Sequence, residues 1–203
     1  MIISVDPGLA NYGFSCWHKG EPIEVGVIKT KKPKNYRGKI SEDLGRRCKE
    51  VSSALHELII KIKPDLVVGE MPGFGAKSSS AAVAMTMASS ITITLCNIHN
   101  LETIWHTPRE IKEYFTGNPH ASKQEMMIAA CKHHGWSITY KQVKDKKASG
   151  GYRTDSIYWP LSKAMPGGKF EHVADSIGAY HTARHYCQQE KSCNATNAKK
   201  TYS

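Results

Sequence analysis

The chain has 203 residues, 40% of them apolar and 23% charged, which suits one globular α/β domain with room for a five-stranded sheet and excludes a disordered polymer. Twenty-eight Lys and Arg against eighteen Asp and Glu leave a net charge of +10 and point to a polyanionic partner. No run approaches the ~18 uninterrupted apolar residues of a membrane span, so no membrane partner is expected.

The N-terminus opens directly on an apolar, β-branched stretch, residues 2–5, and shows no secretory leader. Asn11 to His18 and Ile23 to Thr30 read as two further strands, joined at Lys19-Gly20-Glu21-Pro22. A basic loop follows, carrying Lys31, Lys32, Lys34, Arg37 and Lys39. From Ile40 the period becomes helical, with Leu44, Val51, Leu55, Leu58, Ile59 and Ile62 near one face, Ser41 as candidate cap and Pro64 beyond the end. Leu66 to Val68 is a short buried strand ending in Gly69-Glu70. Residues 77–97 form a helix of small side chains suited to close packing, within the domain or between subunits. Leu101 to Trp105 is a fifth strand; Thr107-Pro108 opens a helix through Phe115, and Ser122 to His134 is another, ended by Gly135. Residues 141–169, with their lysines, paired glycines and aromatics, read as an inserted loop or flap. A last helix spans about His172 to Gln189. The expected organisation is one domain over 1–190 and a polar tail over 191–203. The six cysteines form no CxxC pair, which argues against structural zinc and for reduced thiols in a cytoplasmic protein.

Three acids stand at telling places. Asp6 ends the first strand, Glu70 ends the fourth, and Asp175 lies in the first turns of the last helix. Ligands of open α/β sheets bind at the carboxyl ends of strands, and a helix across that edge can deliver Asp175 there. Three converging carboxylates repel one another unless a cation neutralises them, and hard ions such as Mg²⁺ prefer oxygen ligands. Two such ions, roughly 3.5–4 Å apart, can activate water and stabilise the leaving oxygen in phosphodiester cleavage. His172, three residues before Asp175, shares its helix face and could ligate metal or handle protons.

These stretches resemble the RuvC family of Holliday junction resolvases, nucleases with a ribonuclease-H-like fold. ISVDPGLANYGF is similar to the family's first-strand motif, VVGEMPGFGAKSSSAA to its second acidic motif, and HVADSIGAYHTA to its last, with two metal-binding positions three apart. HTPREIKEYFTGNPHASKQEM resembles the stretch that carries two functional lysines, here Lys112 and Lys123. The resemblance covers roughly residues 1–135 and 170–187. It implies a five-stranded mixed sheet flanked by helices, and a homodimer that nicks a four-way DNA junction symmetrically. Asp6, Glu70, His172 and Asp175 would hold two Mg²⁺, with Mn²⁺ substituting, and Lys112 and Lys123 would serve the scissile phosphate. Phe74 matches a family aromatic that contacts a base, if one inserted residue is allowed. DNA contacts are further expected from Lys77 and from Lys144, Lys146, Lys147 and Arg153 of the insertion.

There are two departures. Many relatives carry Asp where His172 stands, and the insertion at 141–169 is longer than expected. Other readings are a related nuclease for other branched DNA or RNA–DNA hybrids, or a DNA-binding relative without catalysis. Clustered carboxylates bring nothing to purely electrostatic DNA binding, which argues against the last. An actin-like ATPase would need a second Gly-rich phosphate loop, and no convincing copy is present.

Overall fold

Five strands form the central sheet in the order β3-β2-β1-β4-β5. They are β1 (Ile2–Asp6), β2 (Asn11–His18), β3 (Glu21–Lys29), β4 (Leu66–Glu70) and β5 (Glu102–His106). The first three are an antiparallel meander, while β4 and β5 run parallel to β1, giving the expected mixed sheet. The computed structural model describes residues 1–71, 79–143, 151–158 and 165–200, with side chains over 1–71, 80–139 and 165–187.

The β2–β3 turn is tighter than the four residues expected. Only Lys19 and Gly20 lie between the strands, at φ of 51° and 94°, the paired positive angles that match the twist of a hairpin. Helix α1 (Ile40–Ile62) is capped at Lys39 rather than at Ser41: the Lys39 N–H donates to the Glu42 carboxylate at 3.3 Å, which leaves Ser41 inside the first turn. Helices α3 (Pro108–Thr116) and α4 (Lys123–His134) start on capping boxes, Thr107 with Glu110 and Ser122 with Glu125, and stop at left-handed Gly117 and Gly135.

Helix α2 (Ser79–Ile98) holds no long uninterrupted apolar run, as expected, but by average composition it is apolar enough to cross a membrane. Residues 80–98 meet that standard by length and composition, with a mean hydropathy of 1.5, because Ala, Met and Ile outweigh the interspersed Ser and Thr. Only 22% of the segment is buried, and Val83, Ile93 and Ile98 are exposed.

The sheet separates two cores. On one face Ile3, Val5, Tyr12, Cys16 and Val67 pack against Val51, Leu55, Ile59 and Ile62 of α1 and Ala88 of α2. On the other, Trp17 and Val68 meet α3, α4 and a long helix α5 (Gly167–Lys200). Among the described residues Cys16, Cys48, Cys96, Cys131 and Cys187 are free thiols.

The insertion differs most from expectation. Where a loop or flap is expected, β6 (Ser137–Val143), β7 (Gly151–Tyr158) and β8 (Met165–Pro166) form an antiparallel sheet, with β7 against α5. Ile138, Thr139, Tyr140 and Val143 of β6, and Tyr152, Thr154, Ile157 and Tyr158 of β7, carry strong strand propensity, which the neighbouring lysines and glycines obscure. Helix α5 likewise exceeds its expected span of 172–189. Gly167 and Gly168 occupy its first turn, and from 179 to 200 the sequence holds no Gly or Pro, so the polar segment expected as a tail continues the helix to Lys200.

Candidate active site

Asp6 and Glu70 are the last residues of β1 and β4, and Val5 pairs with Gly69, so the two acids leave the carboxyl edge of the sheet side by side. Both lie on the face covered by α5. Alternation puts Ile3 and Val5 under α1, and Ser4 and Asp6 under α5.

Helix α5 reaches this edge because β2 lets its backbone in. A Cβ on Gly13 would sit 2.3 Å from the His172 carbonyl oxygen, so only glycine permits the approach. One helical turn on, buried hydroxyls fix the register. Ser15 Oγ lies 3.0 Å from Ser176 Oγ and 2.7 Å from Ser4 Oγ, and Trp17 Nε1 donates to Ser4 Oγ at 2.9 Å. A further turn on, Tyr180 stacks on Trp17 with centroids 3.7 Å apart. Residues 172, 176 and 180 therefore meet 13, 15 and 17. Four helical residues rise about 6 Å and two strand residues about 6.7 Å, so the two ladders stay in step.

Asp6 Oδ2 is 2.8 Å from His172 Nδ1. Burial works against the charged imidazole, but the Asp6 hydrogen bond and charge outweigh it and hold the His172 pKa above its ordinary value. Glu70 is pushed well above the carboxylate range, first by burial and then by the charges of Asp6 and Asp175. Burial and then Asp6 raise Asp175 to about 7. Lys112 on α3 opposes both shifts, and Lys123 and His172 oppose that of Asp175, so both lysines lie within electrostatic reach of the acids. Lys123, the first residue of α4, also bonds across to α5, its Nζ 2.8 Å from Glu171 Oε1.

The donor set fits a hard divalent cation. Burial has raised the proton affinity of Glu70 and Asp175, and a cation would satisfy both carboxylates as anions. Among the described residues no three His, Cys, Asp or Glu side chains are gathered at metal-holding distances, and Asp6 is engaged by His172 instead.

The structure thus brings Asp6, Glu70, His172, Asp175, Lys112 and Lys123 to one sheet edge. Phe74, Lys77, Lys144, Lys146 and Lys147 lie outside the described residues; Arg153 lies on β7, with its side chain outside them. Sequence reasoning missed Glu171, four residues before Asp175 on one helix face, a spacing that could have exposed it. The Ser4–Ser15–Ser176 network carried no comparable signal.

Residues 2–133 match the family described as "Crossover junction endodeoxyribonuclease RuvC". Proteins of that name from Thermomicrobium roseum and Synechococcus sp. are similar. The first is 29% identical over 128 residues, covering 62% of this chain and 73% of the relative. The second is 28% identical over 132 residues, covering 63% and 79%. Among solved structures, T. thermophilus RuvC in complex with a Holliday junction substrate shares the fold at a TM-score of 0.62 and 17% identity, covering 93% of this chain and 95% of that one. A Thermus thermophilus RuvC structure gives 0.59 at 16% identity, covering 93% and 96%.

Proposed function

The chain belongs to the RuvC family, and from that premise we propose that it is a crossover junction endodeoxyribonuclease, cutting four-way DNA junctions by metal-dependent hydrolysis of phosphodiester bonds. One observation carries the reading: Asp6, Glu70 and Asp175 meet at one sheet edge, where burial and the nearby Asp6 charge raise the proton affinity of Glu70 and Asp175, with Lys112 and Lys123 within electrostatic reach in a chain of net charge +10.

Asp6, Glu70 and Asp175 would hold two Mg²⁺, which supply an activated water and a counter-charge for the leaving oxygen. His172 can join them as a ligand through Nδ1 only by giving up Asp6, so the two roles alternate. Lys112 and Lys123 hold the phosphate against the acidic edge. Imidazole suits Mn²⁺ better than Mg²⁺, so Mn²⁺ should support at least equal activity, and His172→Asp should shift the preference toward Mg²⁺.

Symmetric nicking needs two sites, and a two-fold dimer supplies them most simply. The exposed Val83, Ile93 and Ile98 on α2 support that helix as the subunit interface. The lysines of 144–147 and Arg153 would add phosphate contacts by their charge.

The test is a synthetic four-way junction beside linear duplex, forks and an RNA–DNA hybrid, in Mg²⁺. Paired nicks confined to the junction are expected. Equal cutting of linear duplex, or of the hybrid, would replace this reading with that of a general or hybrid-directed nuclease.

A further inference from the structure

We propose that Glu171 is a positioning residue for cleavage, its carboxylate holding the Lys123 ammonium at the rim of the acidic site. The inference rests on the reading of Lys123 given above. Lys123 is 65% exposed, and a long side chain at the first position of a helix has many rotamers open to it. Its Nζ nevertheless lies 2.8 Å from Glu171 Oε1, across 48 residues of sequence and from one helix to another. The same Oε1 stands 3.4 Å from His172 Nε2, and His172 Nδ1 stands 2.8 Å from Asp6 Oδ2. Lys123, Glu171, His172 and Asp6 thus form one connected chain running from the α4 N-terminus to the end of β1.

A further acid beside a phosphate-binding edge is otherwise unfavourable, since it adds to the repulsion that Asp6, Glu70 and Asp175 already present. Exposed ion pairs contribute little to stability, so a role as a strut between α4 and α5 does not account for it. Its effect is orientational. One Glu171 oxygen bonds the Lys123 ammonium and stands beside the His172 ring. Groups that hold reacting side chains in this way cost about 10–100-fold in activity when removed.

The experiment compares the full-length parent, E171Q, K123A and E171Q/K123A on a synthetic four-way junction. Single-turnover cleavage is measured in Mg²⁺, junction Kd in EDTA, and Mn²⁺ affinity by calorimetry without DNA. E171Q keeps the side-chain volume and loses the charge; E171D, which keeps the charge, should recover part of the loss and guards against a folding effect. The expected result is cleavage slowed about 10-fold or more in E171Q, with junction Kd equal or tighter and Mn²⁺ affinity unchanged. K123A should be slow as well, and the double variant no slower than K123A. E171Q at the parental rate beside a slow K123A would overturn the proposal and leave the active-site reading standing. K123A at the parental rate would overturn both. Losses that multiply in the double variant would show that Glu171 does not act through Lys123, and a tenfold loss of Mn²⁺ affinity in E171Q would make it a metal ligand instead.

Discussion

The two faces of the central sheet are built from the same strands and do different work. Toward α1, the strands present Ile3, Val5, Tyr12, Cys16 and Val67, an almost wholly apolar layer. Toward α5, the alternate positions grade along the helix from the Trp17–Tyr180 stack, through the Ser4–Ser15–Ser176 hydroxyls, to the carboxylates at the sheet edge. The first face supplies stability and, on the outer side of α2, an unsatisfied apolar surface. The second holds costly polar groups in register at one end and draws its own stability from the aromatic end. The difference teaches that charge burial here is tolerated because α5 is clamped at two points away from the charges.

The largest test of that contrast is removal of the charges themselves. Asp175→Asn and Glu70→Gln should each lose at least ~100-fold in cleavage, the scale of several kcal/mol of metal-supplied transition-state stabilisation, while binding junctions in Ca²⁺ as well as the parent. Folded variants that cut at the parental rate would place the chemistry elsewhere. Leu55→Ala, on the α1 face, should do the reverse: a loss of about 2–5 kcal/mol in denaturant unfolding, with the parental rate per folded molecule.

Asp175 sharpens the comparison further. Its folded pKa of about 7 lies above the 3.8 of an ordinary aspartate, so the native state keeps a proton that the unfolded state releases. The associated stability is full below the lower value and is lost as pH rises through about 7. Thermal melts of metal-free parent should therefore decline relative to Asp175→Asn between these values, and Mg²⁺ should raise the parental melting temperature more at pH 8 than at pH 5. A constant difference between the two proteins across pH would contradict the burial of this group.

Gly13→Ala should be destabilising by about 1–3 kcal/mol, as overpacking between rigid backbones is. It should also slow cleavage by pushing His172 outward, and an unperturbed rate would loosen the proposed clamp. The smallest expected effect on stability is that of Ile93→Glu on the outer face of α2, within about 0.5 kcal/mol. It should nevertheless give a monomer in sedimentation and uncouple the paired nicks; a variant that remains dimeric would move the interface elsewhere.

The insertion shows where sequence reading runs out. The family match ends at residue 133, just before β6, and the motif with His172 and Asp175 lies beyond it. Lysines and glycines at 141–169 hide the strands, because propensity is a local quantity and the pairing of β6 with β7 is a long-range one. The end of α5 is a similar case: polar residues suggest a tail, yet nothing in them forbids a helix once its first half is anchored on the sheet.

The sequence alone determined the succession of strands and helices through His134, the antiparallel opening meander, the starts of α3 and α4 at Thr107-Pro108 and Ser122, the glycine stop of α4, and the placement of Asp6 and Glu70 at strand ends. These follow from short-range periodicity and backbone chemistry, which a single chain displays openly. Only the tertiary structure decided that Gly13 admits α5, that three serines set its register, and that Glu171 joins Lys123 to His172. Those relations depend on distances between residues far apart in the chain, and no local pattern encodes a distance.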